Sequence, residues 1–117
     1  MPRFVILEHD HPFLHWDLML EMGNALRTWR LAAPPALEAA VAAEPLGDHR
    51  MLYLNYEGPV SRGRGHVRRW DSGSYDGFFA SEGQVEFRLE GARVRGHVRI
   101  VGTTAPLELT LTVRGTP

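Results

Sequence analysis

Residues 14–22 read L-H-W-D-L-M-L-E-M, a stretch in which every second side chain is apolar. Because successive side chains of a β-strand point to opposite faces, the even-numbered residues would face a core. The opposite face would carry His15, Asp17, Met19 and Glu21. Gly23-Asn24 fits a two-residue hairpin turn, and Ala25 to Leu31 fits the returning strand. The stretch therefore predicts an antiparallel hairpin with one apolar face.

Short apolar runs between glycines and prolines continue along the chain, which has 12 Gly and 8 Pro in 117 residues. This pattern predicts strands over residues 3–8, 14–22, 25–31, 51–56, 66–70, 84–89, 93–101 and 107–113. Residues 34–45 are expected to form a loop with at most one helical turn, 58–65 a loop, and 71–73 a turn. The predicted fold is all-β: a single domain over residues 1–117, built as a compact antiparallel β-barrel of about eight strands with little helix. Lack of fixed structure is expected only for residues 114–117.

Composition narrows the functional classes. The chain has no cysteine, which excludes disulfides, thiolate metal ligands and cysteine nucleophiles. It has no long apolar run and no signal-peptide pattern at its start, so we expect a cytoplasmic protein without a membrane span. The net charge is −1, but all 13 basic residues are arginine, whose planar fork binds phosphate through two hydrogen bonds. A GC-rich genome would produce the same preference for arginine.

The segment from Glu8 to Glu21 holds three of the six histidines. His15 and Asp17 are two residues apart on one strand, so their side chains share a face. His9 ends the preceding predicted strand, and hairpin pairing could bring it to the same place. Two histidines and one carboxylate leave positions open for water and substrate on a metal ion, and Glu21 could orient one of the ligands. The alternative is a set of polar residues on the solvent-exposed face of a sheet.

The order of several motifs resembles the 3'-phosphoesterase domain family of bacterial DNA ligase D. His9-Asp10 followed by Leu14 to Glu21 is similar to the family's most characteristic segment. Further similarities follow in the same order along the chain, at residues 26–29, 48–58, 70–75, 85–89 and 94–96. The resemblance thus extends over nearly the whole sequence.

The resemblance implies a compact β-barrel hydrolase that uses a divalent metal, usually Mn²⁺, with Zn²⁺ or Fe²⁺ as other possibilities. It implies removal of 3'-ribonucleotides and 3'-phosphates from DNA ends during repair. On this chain the family's metal ligands match His9, His15 and Asp17, and its phosphate-contacting pair matches His49 and Tyr53. DNA 3' ends are the implied partner, together with a separate ligase, polymerase or Ku-like end-joining protein, and the chain is expected to be a monomer.

Two positions depart from the family pattern. Met19 and Ala33 stand where the family has an arginine and a lysine. Removing one phosphate-binding cation typically costs about 3 kcal/mol of transition-state stabilisation. Possible replacements are Arg30, Arg50, Arg62 and Arg64.

Three functional hypotheses follow. The first is metal-assisted phosphoester hydrolysis, with His49 as general acid and Tyr53 positioning the phosphate. The second is a catalytically weak or inactive module that binds nucleic-acid ends, which Met19 would explain. The third is a non-haem iron oxygenase, in which His66 or His97 would join His15 and Asp17 as the third ligand.

Overall fold

The computed structural model describes residues 1–113. The expected lack of structure at residues 114–117 lies outside the described residues. One 3₁₀ helix, Met51–Leu54, is present in the described part. No helix among residues 1–113 is long and apolar enough to cross a membrane. The strands are β1 Arg3–His9, β2 His15–Met22, β3 Ala25–Leu31, β4 Ala40–Arg50, β5 Gly58–Pro59, β6 His66–Ser81, β7 Gln84–Gly91, β8 Arg95–Val101 and β9 Leu107–Thr112.

Eight of the nine strands found in residues 1–113 form a closed ring. Their order is β1-β2-β3-β4-β9-β8-β7-β6, and β6 pairs back with β1. The short β5 is added on the edge of β6. Every pairing between these strands is antiparallel, and the ring leaves its eight strands without a free edge along most of their length. The predicted all-β fold of about eight antiparallel strands with little helix is confirmed.

Residues 40–50 and 51–54 differ from the prediction. Residues 40–50, expected to belong mostly to a loop, form strand β4. This strand fills the gap between β3 and β9, and Val41 and Ala43 alternate into the core. Residues 51–54, expected to be a strand, form the 3₁₀ helix instead. The helix buries Leu54 against the outside of the ring, so tertiary packing overrides the local strand preference.

The predicted turn at Asp71-Ser72-Gly73 is also wrong, because β6 continues through it to Ser81. The buried Asp71 carboxylate accepts hydrogen bonds from the backbone N–H groups of Ser72, Ala92, Arg93 and Val94, at 2.8–3.1 Å. These donors lie next to the connection between β7 and β8. Asp71 therefore fastens that connection to β6, a structural role that a local reading of the sequence cannot show.

The main core fills the inside of the ring. It includes the predicted apolar face of β2, with Leu18 and Leu20, and the stacked rings of Trp29 and Phe87. A second, smaller core lies outside the ring, on β1, β2 and β3. Its members are Val5, Leu7, Met19, Leu26, Leu54, Val60 and Val67. The outer face of the first hairpin is therefore covered by protein, so the alternative of a solvent-exposed polar face does not hold there.

Candidate metal centre and cleft

His9, His15 and Asp17 converge at one end of the β1–β2 hairpin. In the register of this hairpin His9 lies directly opposite His15, and Asp17 lies opposite Leu7, two residues further on. The three side chains therefore project from one face of adjacent strands. Their candidate ligand atoms all lie within 4.8 Å of one another. His15 is 1% exposed and Asp17 3%, so solvent reaches the cluster mainly beside the half-buried His9.

Hydrogen bonds orient both imidazoles toward the carboxylate. The Nδ1 of His15 lies 2.9 Å from the carbonyl oxygen of Phe13, and the Nε2 of His9 lies 2.8 Å from that of Arg64. Because a carbonyl only accepts, each of these ring nitrogens donates. The other nitrogens, His15 Nε2 and His9 Nδ1, then lie 3.2 and 3.5 Å from Asp17 oxygens. Such outer hydrogen bonds commonly orient metal-binding histidines.

This arrangement fits a divalent ion. In neutral imidazoles the two inward nitrogens carry lone pairs, and they face a carboxylate that also offers only lone pairs. In addition, the buried Asp17 Oδ1 has no hydrogen-bond partner among the described residues. A cation between the three groups would satisfy them all. Two imidazoles and one carboxylate are compatible with Mn²⁺, Fe²⁺ and Zn²⁺, so the ligand set alone does not select the metal.

The centre opens into a cleft of about 250 Å³. Ligand pockets for whole small molecules usually have 300–1,000 Å³, so this cleft fits a terminal group such as a phosphate. His9 and Asp17 form one side of it. Met19 and the apolar residues Val60 and Val67 also contribute to the lining. The rest of the lining comes from the end of β4, the 3₁₀ helix and the segment before β6, through Asp48, His49, Arg50, Tyr53 and Arg64.

His49 and Tyr53 reach this cleft together. His49 lies near the end of β4. Its Nδ1 donates a hydrogen bond to the carbonyl oxygen of Gly47 at 3.0 Å, so Nε2 remains available to accept a hydrogen bond, or to donate one when the ring is protonated. Tyr53 lies in the 3₁₀ helix with its ring edge-to-face with His49, at a centroid distance of 6.0 Å. The structure thus brings both predicted residues to the cleft that His9 and Asp17 also line.

The four candidate arginines separate into two pairs. Arg50 and Arg64 line the cleft, whereas Arg62 and Arg30 do not. The Arg64 guanidinium is held by Ser61, with Nε 2.9 Å from the carbonyl oxygen. Arg62 is exposed in a turn with a positive φ of 63°. Arg30 lies opposite Asp17 in the register, but its guanidinium stacks on Phe13 in a separate pocket.

Glu21, expected to orient a metal ligand, does not reach the cluster. It lies four residues beyond Asp17, about 13 Å along the strand. Its carboxylate instead accepts the backbone N–H of Arg3 at 2.9 Å, and this bond and the Arg3 guanidinium lower the pKa of Glu21.

The other two histidines considered as ligands also lie elsewhere. His66 is near Asp10, and His97 pairs with Glu86 on the surface of β8, at 3.2 Å. Neither belongs to the cluster found among the described residues. The oxygenase hypothesis requires one of these two histidines as the third ligand, whereas the structure places His9 beside His15 and Asp17.

Asp10 holds the loop behind the centre, a role that the sequence analysis missed. Its carboxylate accepts the backbone N–H of His66 at 2.7 Å, and this hydrogen bond lowers the pKa of Asp10. Gly65 packs against it with a φ of +74°, and a side chain at Gly65 would collide with the carboxylate. Asp10 therefore fixes the segment whose Arg64 carbonyl orients His9. The signal in the sequence was the Asp directly after His9, but its partner is 56 residues away.

Fold and site together define a small all-β domain with an open two-histidine, one-carboxylate centre in an arginine-flanked cleft. Residues 7–102 match the family model described as the DNA Ligase D 3'-phosphoesterase domain. The chain belongs to this family.

Similar curated proteins support the same family assignment. The chain is 29% identical over 113 residues to the multifunctional non-homologous end joining protein LigD of Pseudomonas aeruginosa, with 86% of this chain and 13% of that protein covered. It is 32% identical over 111 residues to the protein of the same name from Mycobacterium bovis and to the LigD non-homologous end joining DNA repair protein of Mycobacterium tuberculosis, with 86% of this chain and 14% of each covered. The chain thus spans about one seventh of the length of these relatives.

Proposed function

We propose that this chain is a metal-dependent 3'-phosphoesterase that trims 3'-ribonucleotides and 3'-phosphates from DNA ends during repair. One observation carries the proposal: the cluster of His9, His15 and Asp17 opens into the cleft that also holds His49 and Tyr53. Membership of the phosphoesterase family supports it. The partners that we propose are DNA 3' ends and a separate ligase, polymerase or Ku-like protein, for a chain that acts as a monomer.

The divalent ion would be held by His9, His15 and Asp17, and Mn²⁺ is the metal that we propose. When bound, it would supply a Lewis acid that polarises a phosphoryl oxygen of the substrate. The half-buried His9 marks the side from which a phosphate would enter, because His15 and Asp17 are closed off from solvent.

The chain's own residues supply the remaining parts of phosphoryl transfer, which are positioning and charge neutralisation. Arg50 and Arg64 would neutralise the phosphate, and the bonds of Arg64 to Ser61 hold its guanidinium in place beforehand. The Tyr53 hydroxyl would donate a hydrogen bond to a phosphate oxygen. As water attacks phosphorus and the bond to the 3' oxygen breaks, His49 would deliver a proton to that oxygen and leave a 3'-hydroxyl.

The test is hydrolysis of a DNA primer that ends in a 3'-phosphate or a 3'-ribonucleotide, with Mn²⁺ added. His15→Ala should abolish product formation, because it removes a buried ligand. His97→Ala is the matched control, since His97 pairs with Glu86 on the surface of β8 and should leave the rate unchanged. Full turnover in His15→Ala would show that the centre is not the active site.

A second candidate function is an end-binding module with little or no activity. Met19 favours it: the residue is 1% exposed and packs in the outer core, so this position offers the cleft an apolar wall and no cation. The same primer distinguishes the two functions. Tight binding of the 3'-phosphorylated end without release of phosphate in Mn²⁺ would support the binding module and contradict the esterase.

A further inference from the structure

A second pocket adjoins the metal centre from the other side. It has a volume of about 170 Å³ and mostly apolar walls. Its lining includes Phe13, His15, Arg30, Leu31, Ala32 and Ala43. His15 connects the two places, because its ring lines this pocket while its Nε2 lies 3.2 Å from Asp17, which lines the phosphate cleft. The pocket and the cleft therefore lie on either side of the pair formed by His15 and Asp17.

Phe13 presents an aromatic surface at the mouth of this pocket. Its ring packs edge-to-face on His15, with the ring centroids 5.8 Å apart, and the Arg30 guanidinium lies 5.6 Å from its centroid. Even so, Phe13 is 59% exposed. An exposed ring beside an arginine is the arrangement on which proteins stack single unpaired nucleobases.

Arg30 adds an unused hydrogen-bond donor. Its Nε is buried and has no partner among the described residues. A buried donor without an acceptor is costly, and a ligand that brings one would remove that cost. A second phosphate fits poorly as this ligand, because the walls are apolar and the Glu44 carboxylate belongs to the lining. A planar, uncharged group with acceptor atoms fits better.

We propose that the pocket of Phe13 and Arg30 binds the nucleobase of the 3'-terminal nucleotide whose phosphate lies at the metal centre. This inference rests on the proposed function and gives it a recognition element. The base stacks on Phe13, and a carbonyl oxygen or ring nitrogen of the base accepts from Arg30 Nε. The base and the phosphate of the terminal nucleotide are thereby bound on the two sides of His15.

The test compares two labelled primers that both end in a 3'-phosphate, one with an ordinary terminal nucleotide and one with an abasic terminal residue. Fluorescence anisotropy in Mn²⁺ gives the affinity for each. The wild-type protein should bind the base-bearing end about 10- to 100-fold more tightly, the range expected for one stacked base. Phe13→Ala should reduce this ratio to near one, whereas Phe13→Tyr should retain it.

Phe79→Ala is the matched control, because Phe79 is an equally exposed aromatic residue on β6 outside the pocket, and it should keep the wild-type ratio. Equal affinity of the wild-type protein for the two ends, or an unchanged ratio in Phe13→Ala, would overturn the proposal. Phosphate release measured on the same samples separates the two hypotheses. Release of phosphate without a preference for the base-bearing end would support the esterase and reject the base-binding pocket. A preference for the base-bearing end without release of phosphate would support the pocket and reject the esterase.

Discussion

If the proposed metal centre binds Mn²⁺, the ion should stabilise the fold strongly. The ligand atoms of His9, His15 and Asp17 are within 4.8 Å only because the β1–β2 hairpin is formed, so the ion should bind the folded chain and not the unfolded one. At 100 times the dissociation constant such binding contributes about 2.7 kcal/mol. The unfolding entropy of 117 residues is about 0.25 kcal/mol/K near 60 °C, so Tm should rise by about 11 °C.

Asp17→Asn tests this reasoning. Loss of an outer partner of a metal ligand already weakens metal binding by about 10- to 100-fold, and loss of a ligand should cost at least as much. A hundredfold loss at the same Mn²⁺ concentration leaves about 0.4 kcal/mol, or less than about 2 °C. Differential scanning calorimetry with and without Mn²⁺ measures the shift within each variant, so a change in the stability of the metal-free protein cancels. His97→Ala should keep the full shift. An equal shift in Asp17→Asn and wild type would refute the centre.

Three further results are expected. Asp71→Asn replaces one acceptor oxygen by a donor and so breaks two hydrogen bonds to a charged group. The free energy of unfolding measured by urea denaturation should fall by about 3–6 kcal/mol. A decrease below about 1 kcal/mol would contradict the structural role of Asp71. Burial raises the pKa of Tyr75 above its usual value of 10.0, so the free energy of unfolding should hold below that pH and fall as pH rises through the higher pKa. Tm measured against pH should show this fall, and Tyr75→Phe should flatten it. An unchanged slope in Tyr75→Phe would exclude Tyr75 as the source. Arg64→Gln keeps the carbonyl that orients His9, so it should lower kcat/KM about a hundredfold without changing the Mn²⁺-induced shift, whereas Arg62→Gln outside the cleft should change neither.

The first hairpin was predictable because its signals are local. Alternation with period two over residues 14–22 and a Gly-Asn turn specify which residues face each other, and the strands found are His15–Met22 and Ala25–Leu31. Pairing of β1 with β2 brings His9 opposite His15, which the sequence had offered only as one possibility, because the connection at residues 10–14 carries no register signal like that of the Gly-Asn turn.

Long-range contacts account for most of what the sequence did not show. Residues 40–50 contain Ala, Glu and Pro, which favour other structures locally, but the ring offers β3 and β9 as partners on both sides. Asp71-Ser72-Gly73 has the composition of a turn, and only its bonds to the β7–β8 connection explain why the strand continues. The same limit applies to the arginines, because the segment between residues 55 and 65 takes its position from the packing of Leu54 and Val60 on the ring.

The cleft exists because strand β1 is buried on both of its faces. A strand in a closed ring needs an apolar face only toward the inside, yet Phe4, Val5, Ile6 and Leu7 are all fully buried. A continuous apolar run of this kind indicates a strand that is covered on both faces. Something must then cover β1 from outside, and the 3₁₀ helix with the segment that follows it does so. Where this cover ends, the outward side chains next along the two strands are those of His9 and Asp17, one half-open and the other buried. The apolar run thus explains why the polar side chains of the cluster lie at the bottom of a cleft and not on an open sheet.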